Sequence, residues 1–535
     1  MSLEAFEQWF VANGGFVDKE YVGLTEFPEE EGGRGMIALK DIPTDHTLFS
    51  IPRSTVLSTR TSPLPGLFGA DAWKERQLDK GWGGLILCMM WESAQSDRKW
   101  KVYLDSLPTE FSTPMFWTEE EIAELAGTAV VDHIGKQEAD QEYTNKVLPA
   151  IQSRPDIFPP SLLCTHFSLT AFHINGSRVL SRSFNVEEGD TESDSDSEGE
   201  GPADKSADLM DVDATEPPPE EGAEEAIEVS DDEDSDEEDA GDVGMVPMAD
   251  MLNARYGSEN AKLFYEPTVL KMISTKPIKA GEQVWNTYAD PPNSALLRRY
   301  GHVDVIAPGV PNASAEGQEN VAGAPNPADI VEVRADLVVR SAVERAGGSN
   351  AEEAAKERID WWLDEGGDDV FLLDTSCALP ILLISLIRLL RLARAEYEKA
   401  IAKGKLPKGK LKPESDEDAA DVLRIVKDAL ERKAGEYVGG ADPETDAQLL
   451  TPTPSLPPRK RCAVIVRLGE KRILQKTIER VEDMLAKAEA AKSAAGKDKK
   501  AKGGKDSRAK ETKANAGKRK GATEEARGGG KKARR

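Results

Sequence analysis

An acid and an amide stand three residues apart in the otherwise apolar run Val246-Pro-Met-Ala-Asp-Met-Leu-Asn253. Spacing i, i+3 sets Asp250 and Asn253 on one side of a turn. A carboxylate placed there must be hydrogen-bonded to be tolerated. The pair is either a capping Asp with a turn Asn or a polar contact set built for a ligand. Other segments carry groups of comparable interest. "EGGRGMIA" holds Gly32, Gly33 and Gly35 around Arg34, followed by Met36. Glycine lets a backbone approach a ligand closely, so this is either a cofactor-cradling loop or an ordinary tight turn before a strand. It is not a dinucleotide fingerprint, because no strand–GxGxxG–helix context surrounds it. Arg182 in "LSRSFNV" offers a cation, and Tyr288 in "VWNTYADPP" offers a phenol at the end of a strand.

Short elements must hold these groups. Leu3, Phe6 and Phe10 recur at helical spacing after Ser2, a capping residue, and the pattern stops at Asn13-Gly14-Gly15. Ile37, Leu39, Leu48, Ile51 and Val56 fall in brief runs broken by Asp41, Pro43 and Pro52, which predicts short strands with tight turns. From Trp73 to Phe172 the pattern is helical, with "GGLILCMMWESAQ" a buried helix and proline-bearing breaks at "LDSLPTEFSTPMFW" and "RPDIFPPS". "LFYEPTVLKMISTKPIKAGEQVWNTYA" reads as two or three strands. Beyond a Gly/Pro/Asn/Ala-rich linker, helices dominate to about Lys492. "CALPILLISLI" is too short for a membrane span and is followed by Arg388, Arg391 and Arg394, so it reads as a core helix.

Charge is distributed unevenly along the 535 residues, whose net charge is −29. The segment Glu187–Asp242 holds 27 acids against one Lys and few large apolar residues, too few to form a core. Ser493–Arg535 holds 16 basic residues against 5 acids. The low pI therefore belongs to one insert, not to a binding surface. Cys88, Cys164, Cys377 and Cys462 are far apart with no CxxC pair, which argues against a zinc site or a disulfide framework and suits a reducing compartment. The N-terminal "MSLEAFEQWF" lacks the basic and apolar regions of a secretory signal.

Taken in order, "GRGMIALKDIPTDHTLFSIP", "SRSF", "PMADMLN", "GEQVWNTY" and "LLRRYGHV" resemble the SET-domain protein-lysine methyltransferases, in particular the Rubisco-methyltransferase-like branch. The long insert and Lys-rich tail are most similar to the group of the fungal ribosomal lysine methyltransferase and the animal SET-domain-containing protein six. The resemblance implies a mixed α+β fold: a β-rich SET fold with a pseudoknot and a helical insertion, followed by a mostly helical C-terminal domain. It places the SET domain at 1–305, with the helical insertion at about 60–172 and a disordered acidic insert at 187–242. A linker (306–327), a helical substrate-binding domain (328–490) and a disordered basic tail (491–535) follow.

The implied activity is S-adenosylmethionine-dependent methylation of a protein lysine, with no metal and with a large-subunit ribosomal protein as the favoured substrate, chromatin or another nuclear protein second. By the same resemblance Tyr288 is the catalytic tyrosine. Arg34, Gly35, Met36, Arg182, Asn253 and Ala254 surround the cofactor together with Tyr288, while Tyr300 and His302 line the lysine channel. Two positions depart from the family: Ala254, where a His is common, and His302, where Phe or Tyr is usual. A His that anchors a water beside the amine implies mainly monomethylation. The alternative is a non-catalytic adaptor that presents its charged segments to basic nuclear proteins. "KRK" at Lys518–Lys520 and "KKARR" at Lys531–Arg535 form a bipartite basic pattern, implying an importin partner, a nuclear location and weak nucleic-acid contact. A monomer without membrane attachment is expected.

Overall fold

The computed structural model describes residues 2–28, 32–94, 97–186, 243–304, 326–347, 350–450 and 456–524, with side chains to 494. The acidic segment 187–242, most of the 306–327 linker and residues 525–535 of the basic tail lie outside the described residues. The chain divides into two compact units. One comprises 1–332, 374–376 and 434–473; the other comprises 333–373, 377–433 and 474–535.

In the first unit, helix α1 (Leu3–Ala12) starts where Ser2 Oγ accepts from Ala5 N at 3.2 Å, and it buries Phe6 and Phe10 completely. The strands are β1 (Phe16–Val17), β2 (Val22–Glu26), β3 (Arg34–Ala38), β4 (Thr47–Pro52), β5 (Ser183–Asn185), β6 (Val243–Met245), β7 (Asn253–Ala254), β8 (Ala261–Tyr265), β9 (Val269–Ser274) and β10 (Gln283–Asn286). They form one sheet in the order β1-β4-β9-β8 and a second in the order β2-β3-β10-β7. β5 and β6 pair antiparallel at either end of the acidic segment, with Asn185 opposite Val243. β7 is the exception in direction: it runs parallel to β10, with Asn253 opposite Trp285 and Ala254 opposite Asn286. The parallel pairing is possible because β8 and β9 lie between β7 and β10 in sequence and return the chain to the same end.

The helical insertion supplies α2 (Gly83–Ser93), α3 (Lys101–Ser106) and α4 (Leu169–Arg182). α2 is apolar on every side and accordingly buried from Leu85 to Trp91. A further helix, α5 (Asn293–Tyr300), follows β10. Residues 434–473 belong to this compact unit. The reason is polar: Arg467, 1% exposed, donates to Asp446 Oδ1 at 2.7 Å and to the Glu124 carbonyl, and Lys471 Nζ lies 2.6 Å from Asp446 Oδ2. Charges so buried survive only when paired and hydrogen-bonded.

In the second unit, α6 (Ala335–Ala346), α7 (Ala351–Asp364) and α8 (Ile381–Arg391) pack on one another. Leu383, Ile384, Leu386, Ile387 and Leu389 of "CALPILLISLI" are buried there, as expected of a core helix. Arg388 holds Asp416 at 2.7 Å and Asp418 at 2.9 Å. Two long helices, α9 (Ala419–Gly435) and α10 (Pro458–Glu524), are each shared between the units. The backbone of α10 is helical well past residue 491, where composition implied a disordered tail. Ala and Lys favour helix there, against Gly496, Gly503, Gly504, Gly517 and Gly521.

Candidate active site

The segment 246–254 is the hinge of the site. Met248, fully buried, adopts φ +81°, an uncommon conformation for a side-chain-bearing residue. It turns the chain so that Asp250 enters the interior and Asn253 joins β7. Asp250 is 6% exposed. Its Oδ2 accepts from the Tyr103 hydroxyl at 2.7 Å, and its own carbonyl accepts from Arg182 Nη1. Oδ1 is buried with no hydrogen-bond partner among the described residues. Burial pushes this carboxyl up to about 6, against the opposing pull of the Arg182 guanidinium and the Tyr103 hydroxyl. Arg178, one turn before Arg182 on α4, donates to the Pro108 carbonyl at 3.0 Å and to Asn175 Oδ1 at 3.0 Å, and burial lowers it to about 10.

These contacts frame a cavity of about 450 Å³ lined by Gly32, Arg34, residues Asp105 to Thr109, Arg182 and Met251. That volume falls in the range of roughly 300–1,000 Å³ usual for small-molecule sites. Arg34 Nη1 donates to the Ser106 carbonyl at 2.9 Å, and Ser106 Oγ donates to the Tyr103 carbonyl at 2.6 Å. The Asn253 carboxamide works inside the protein: Nδ2 donates to the Arg34 carbonyl at 3.1 Å and to Gln283 Oε1 at 2.8 Å. Gly32, at φ +100°, lies over that amide, and a Cβ there would sit 2.5 Å from Asn253 Nδ2. A Cβ on Gly35 would meet the same nitrogen at 2.9 Å. Met36 is wholly buried in the core and offers only its backbone, while Ala254 pairs in β7.

A ring cluster adjoins the hinge. The Tyr288 hydroxyl donates to the Leu252 carbonyl at 3.4 Å, one residue beyond Met251 of the cavity. Its ring stacks on Tyr300 with centroids 4.4 Å apart and planes within 5°. His302 lies 5.9 Å from Tyr300 at 50°. Stacked this closely, the two tyrosines form one wall and leave no room for an alkyl chain between them. Burial raises both phenols and lowers His302, so at neutral pH the phenols keep their protons and the imidazole is uncharged. Gly301, at φ +78°, ends α5 and packs against the backbone of Ser112 and Thr113, which returns His302 toward Tyr300.

The structure thus gathers Arg34, Arg182 and the backbone near Gly35 at the cavity, and Tyr288, Tyr300 and His302 at the ring cluster. Asn253 and Ala254 join the two through β7. Sequence reasoning did not find the stretch Asp105–Thr109. Its only signal was "LDSLP", read as a break between helices, and its use in the site is through backbone carbonyls.

The fold matches solved structures at low identity. One described as Rubisco LSMT bound to AdoMet aligns with TM-score 0.60 and 20% identity over 91% of this chain and 93% of that one. The SET domain of LSMT bound to lysine and AdoHcy aligns with TM-score 0.59 and 18% identity over 90% and 91%. The chain therefore has the fold of these SET-domain structures, with a helical C-terminal region. A family model described as Rubisco LSMT substrate-binding matches residues 349–474.

Its sequence is similar to ribosomal lysine N-methyltransferase 4 of Saccharomyces cerevisiae, 33% identical over 278 residues. It is also similar to the human N-lysine methyltransferase SETD6, at 29% over 277 residues. These matches cover 51% of this chain in both cases, and 49% and 48% of the relatives, so the chain spans about half the length of the curated relatives it matches.

Proposed function

We propose that this protein transfers a methyl group from S-adenosylmethionine to the ε-amine of a lysine in a protein substrate. The observation that carries the reading is the juxtaposition, at one buried turn, of an arginine-lined cavity with the Tyr288–Tyr300–His302 ring cluster. The cavity suits the cofactor. Gly32 and Gly35 allow close backbone approach, and Arg182 and Arg34 present guanidiniums to a carboxylate. When bound there, the cofactor supplies an activated methyl on a sulfonium.

The protein must then deliver a neutral amine in line with that methyl. Positioning of this kind supplies much of the acceleration of a two-substrate reaction. Burial beside the Tyr288–Tyr300 wall strips water from the amine and so favours the free base over the ammonium. The Tyr288 hydroxyl, protonated at neutral pH, is placed to hydrogen-bond the amine, while its oxygen and nearby carbonyls can take weak C–H···O contacts from the methyl. Uncharged His302 can hold a water beside the amine, in the space a second methyl would need. This favours mainly monomethylation.

A relative's name supports a ribosomal protein as substrate; a chromatin or other nuclear protein is second. We also place the protein in the nucleus, through importin recognition of the basic pattern that ends at Arg535, with weak nucleic-acid contact through the same tail and a monomeric state. The test is calorimetry with S-adenosylmethionine, followed by intact-mass analysis of a large-subunit ribosomal protein fraction incubated with enzyme and cofactor. Binding with a mass gain of one methyl is expected. Failure to bind the cofactor would overturn the reading.

A further inference from the structure

Asp250 is buried and titratable, and methyl transfer as described does not use it. Two elements meet on its carboxyl group and backbone, and its own turn continues into the cavity wall. Tyr103 comes from α3, which with the residues after it forms one cavity wall. Arg182 comes from the end of α4 and lines the cavity. Met251, the next residue, lines it as well. The charged and titratable groups that face Asp250 are Arg182, Tyr103 and, more remotely, Tyr288; Arg178 faces Tyr103. Arg182 bonds the Asp250 main-chain carbonyl, and its charge favours the ionised Asp250 carboxyl.

We propose that Asp250 is a proton-linked positioning residue for Arg182: seating the cofactor's carboxylate on Arg182 draws a proton onto Asp250. The inference rests on the S-adenosylmethionine reading of the cavity. Its physical basis is that the nearby Arg182 charge favours the ionised Asp250 carboxyl, and a cofactor carboxylate paired with that charge removes part of this support. The cofactor's α-carboxyl, beside its own α-ammonium, is the stronger acid, whereas burial has already raised Asp250 to about 6. The proton therefore goes to Asp250. The geometry has a place for it: Oδ1 is buried without a partner among the described residues, while Oδ2 can continue to accept from Tyr103.

The sign of the linkage follows. Below about 6 Asp250 is protonated with or without cofactor, and affinity is highest and flat. As pH rises through that value, binding requires proton uptake. Affinity then falls by up to about tenfold per pH unit until the higher pKa of the complex is passed.

The experiment is calorimetry of the full chain with S-adenosylmethionine in buffers of different ionisation enthalpy, which counts protons taken up, between about pH 6 and 8. Wild type is expected to take up a fraction approaching one proton. Asp250→Asn should abolish that fraction. 5′-Methylthioadenosine, which lacks the amino-acid moiety, should bind without it. Tyr103→Phe removes a hydrogen bond that favours the ionised form, so the uptake window should move to higher pH. That variant decides the matter if Asp250→Asn does not fold. No uptake in wild type, equal uptake in wild type and Asp250→Asn, or an unmoved window in Tyr103→Phe overturns the proposal. Absence of S-adenosylmethionine binding would instead overturn the cofactor reading itself.

Discussion

The cavity and the ring cluster are built from different interactions. In the cavity, two guanidiniums reach backbone carbonyls, Arg34 that of Ser106 and Arg182 that of Asp250, with a buried acid behind them. In the ring cluster, Tyr288, Tyr300 and His302 meet through their faces, and the one hydrogen bond from Tyr288 is long at 3.4 Å. A charge-held cavity should respond to removal of a charge and to pH. A shape-held wall should respond to removal of one atom by losing rate or product control, with little change in cofactor affinity. The largest expected effect is therefore at Arg182. Arg182→Ala removes charge-assisted hydrogen bonds worth about 1.5–3 kcal/mol each and should weaken S-adenosylmethionine binding roughly 10- to 100-fold. Calorimetry checks it; a loss below about threefold would mean that the cavity does not rely on this charge.

Tyr288→Phe comes next, and it sharpens the contrast. The ring and its stack on Tyr300 stay; only the hydroxyl goes. Cofactor affinity should hold within about twofold while single-turnover methyl transfer falls at least about tenfold, roughly 1.4 kcal/mol of barrier. An unchanged rate would remove Tyr288 from the mechanism. His302→Phe should be milder. The ring's place beside Tyr300 is kept, but the nitrogen that anchors a water is lost. Total turnover should change by less than about threefold while the share of di- and trimethylated product rises. Intact-mass analysis at high enzyme and cofactor decides this one; trimethyllysine as the main wild-type product would rule out the role given to His302.

The two regions also differed in how far the sequence announced them. Tyr288, Tyr300 and His302 meet through side chains that lie in motifs of characteristic order, so their grouping could be anticipated. Ser106 and Pro108 act through carbonyls, which any residue has, and nothing in "LDSLP" marked them. Asn253 stood out by type, yet its amide pins Arg34 and Gln283 together inside the protein, a partnership that depends on the parallel entry of β7. Two residues at and just beyond the end of the expected linker make a related point. Asn326 and Asp329 look like loop residues, but both are buried: Asn326 Nδ2 donates to the Pro291 carbonyl at 2.9 Å, and Asp329 Oδ1 accepts from Asn293 N at 2.8 Å, capping α5 from 36 residues away. Local patterns predicted strands and helices well. Polar contacts between distant segments had no local signature.

The smallest effect expected at the site comes from the largest change to the chain. Deleting 187–242 and joining Val186 to Val243 through a Gly-Ser-Gly linker removes 27 acids, but it leaves both the cavity and the ring cluster with every contact described above. The flanking strands are already in place. Ser183, Phe184 and Asn185 pair with Met245, Gly244 and Val243, so the two ends of the excised segment are register partners. Loop-closure entropy falls by about 0.6 kcal/mol for each halving of a connection, which bounds the gain near about 2.5 kcal/mol. Thermal stability should therefore hold or rise slightly, and S-adenosylmethionine affinity should stay within about twofold. What should change is the salt dependence of activity on a Lys-rich protein. Exposed charges act over a Debye length of about 8–10 Å at physiological ionic strength and are screened above it. Wild type and deletion variant should differ at low salt and converge at high salt. A melting temperature that drops on deletion would show instead that β5 and β6 depend on the segment between them.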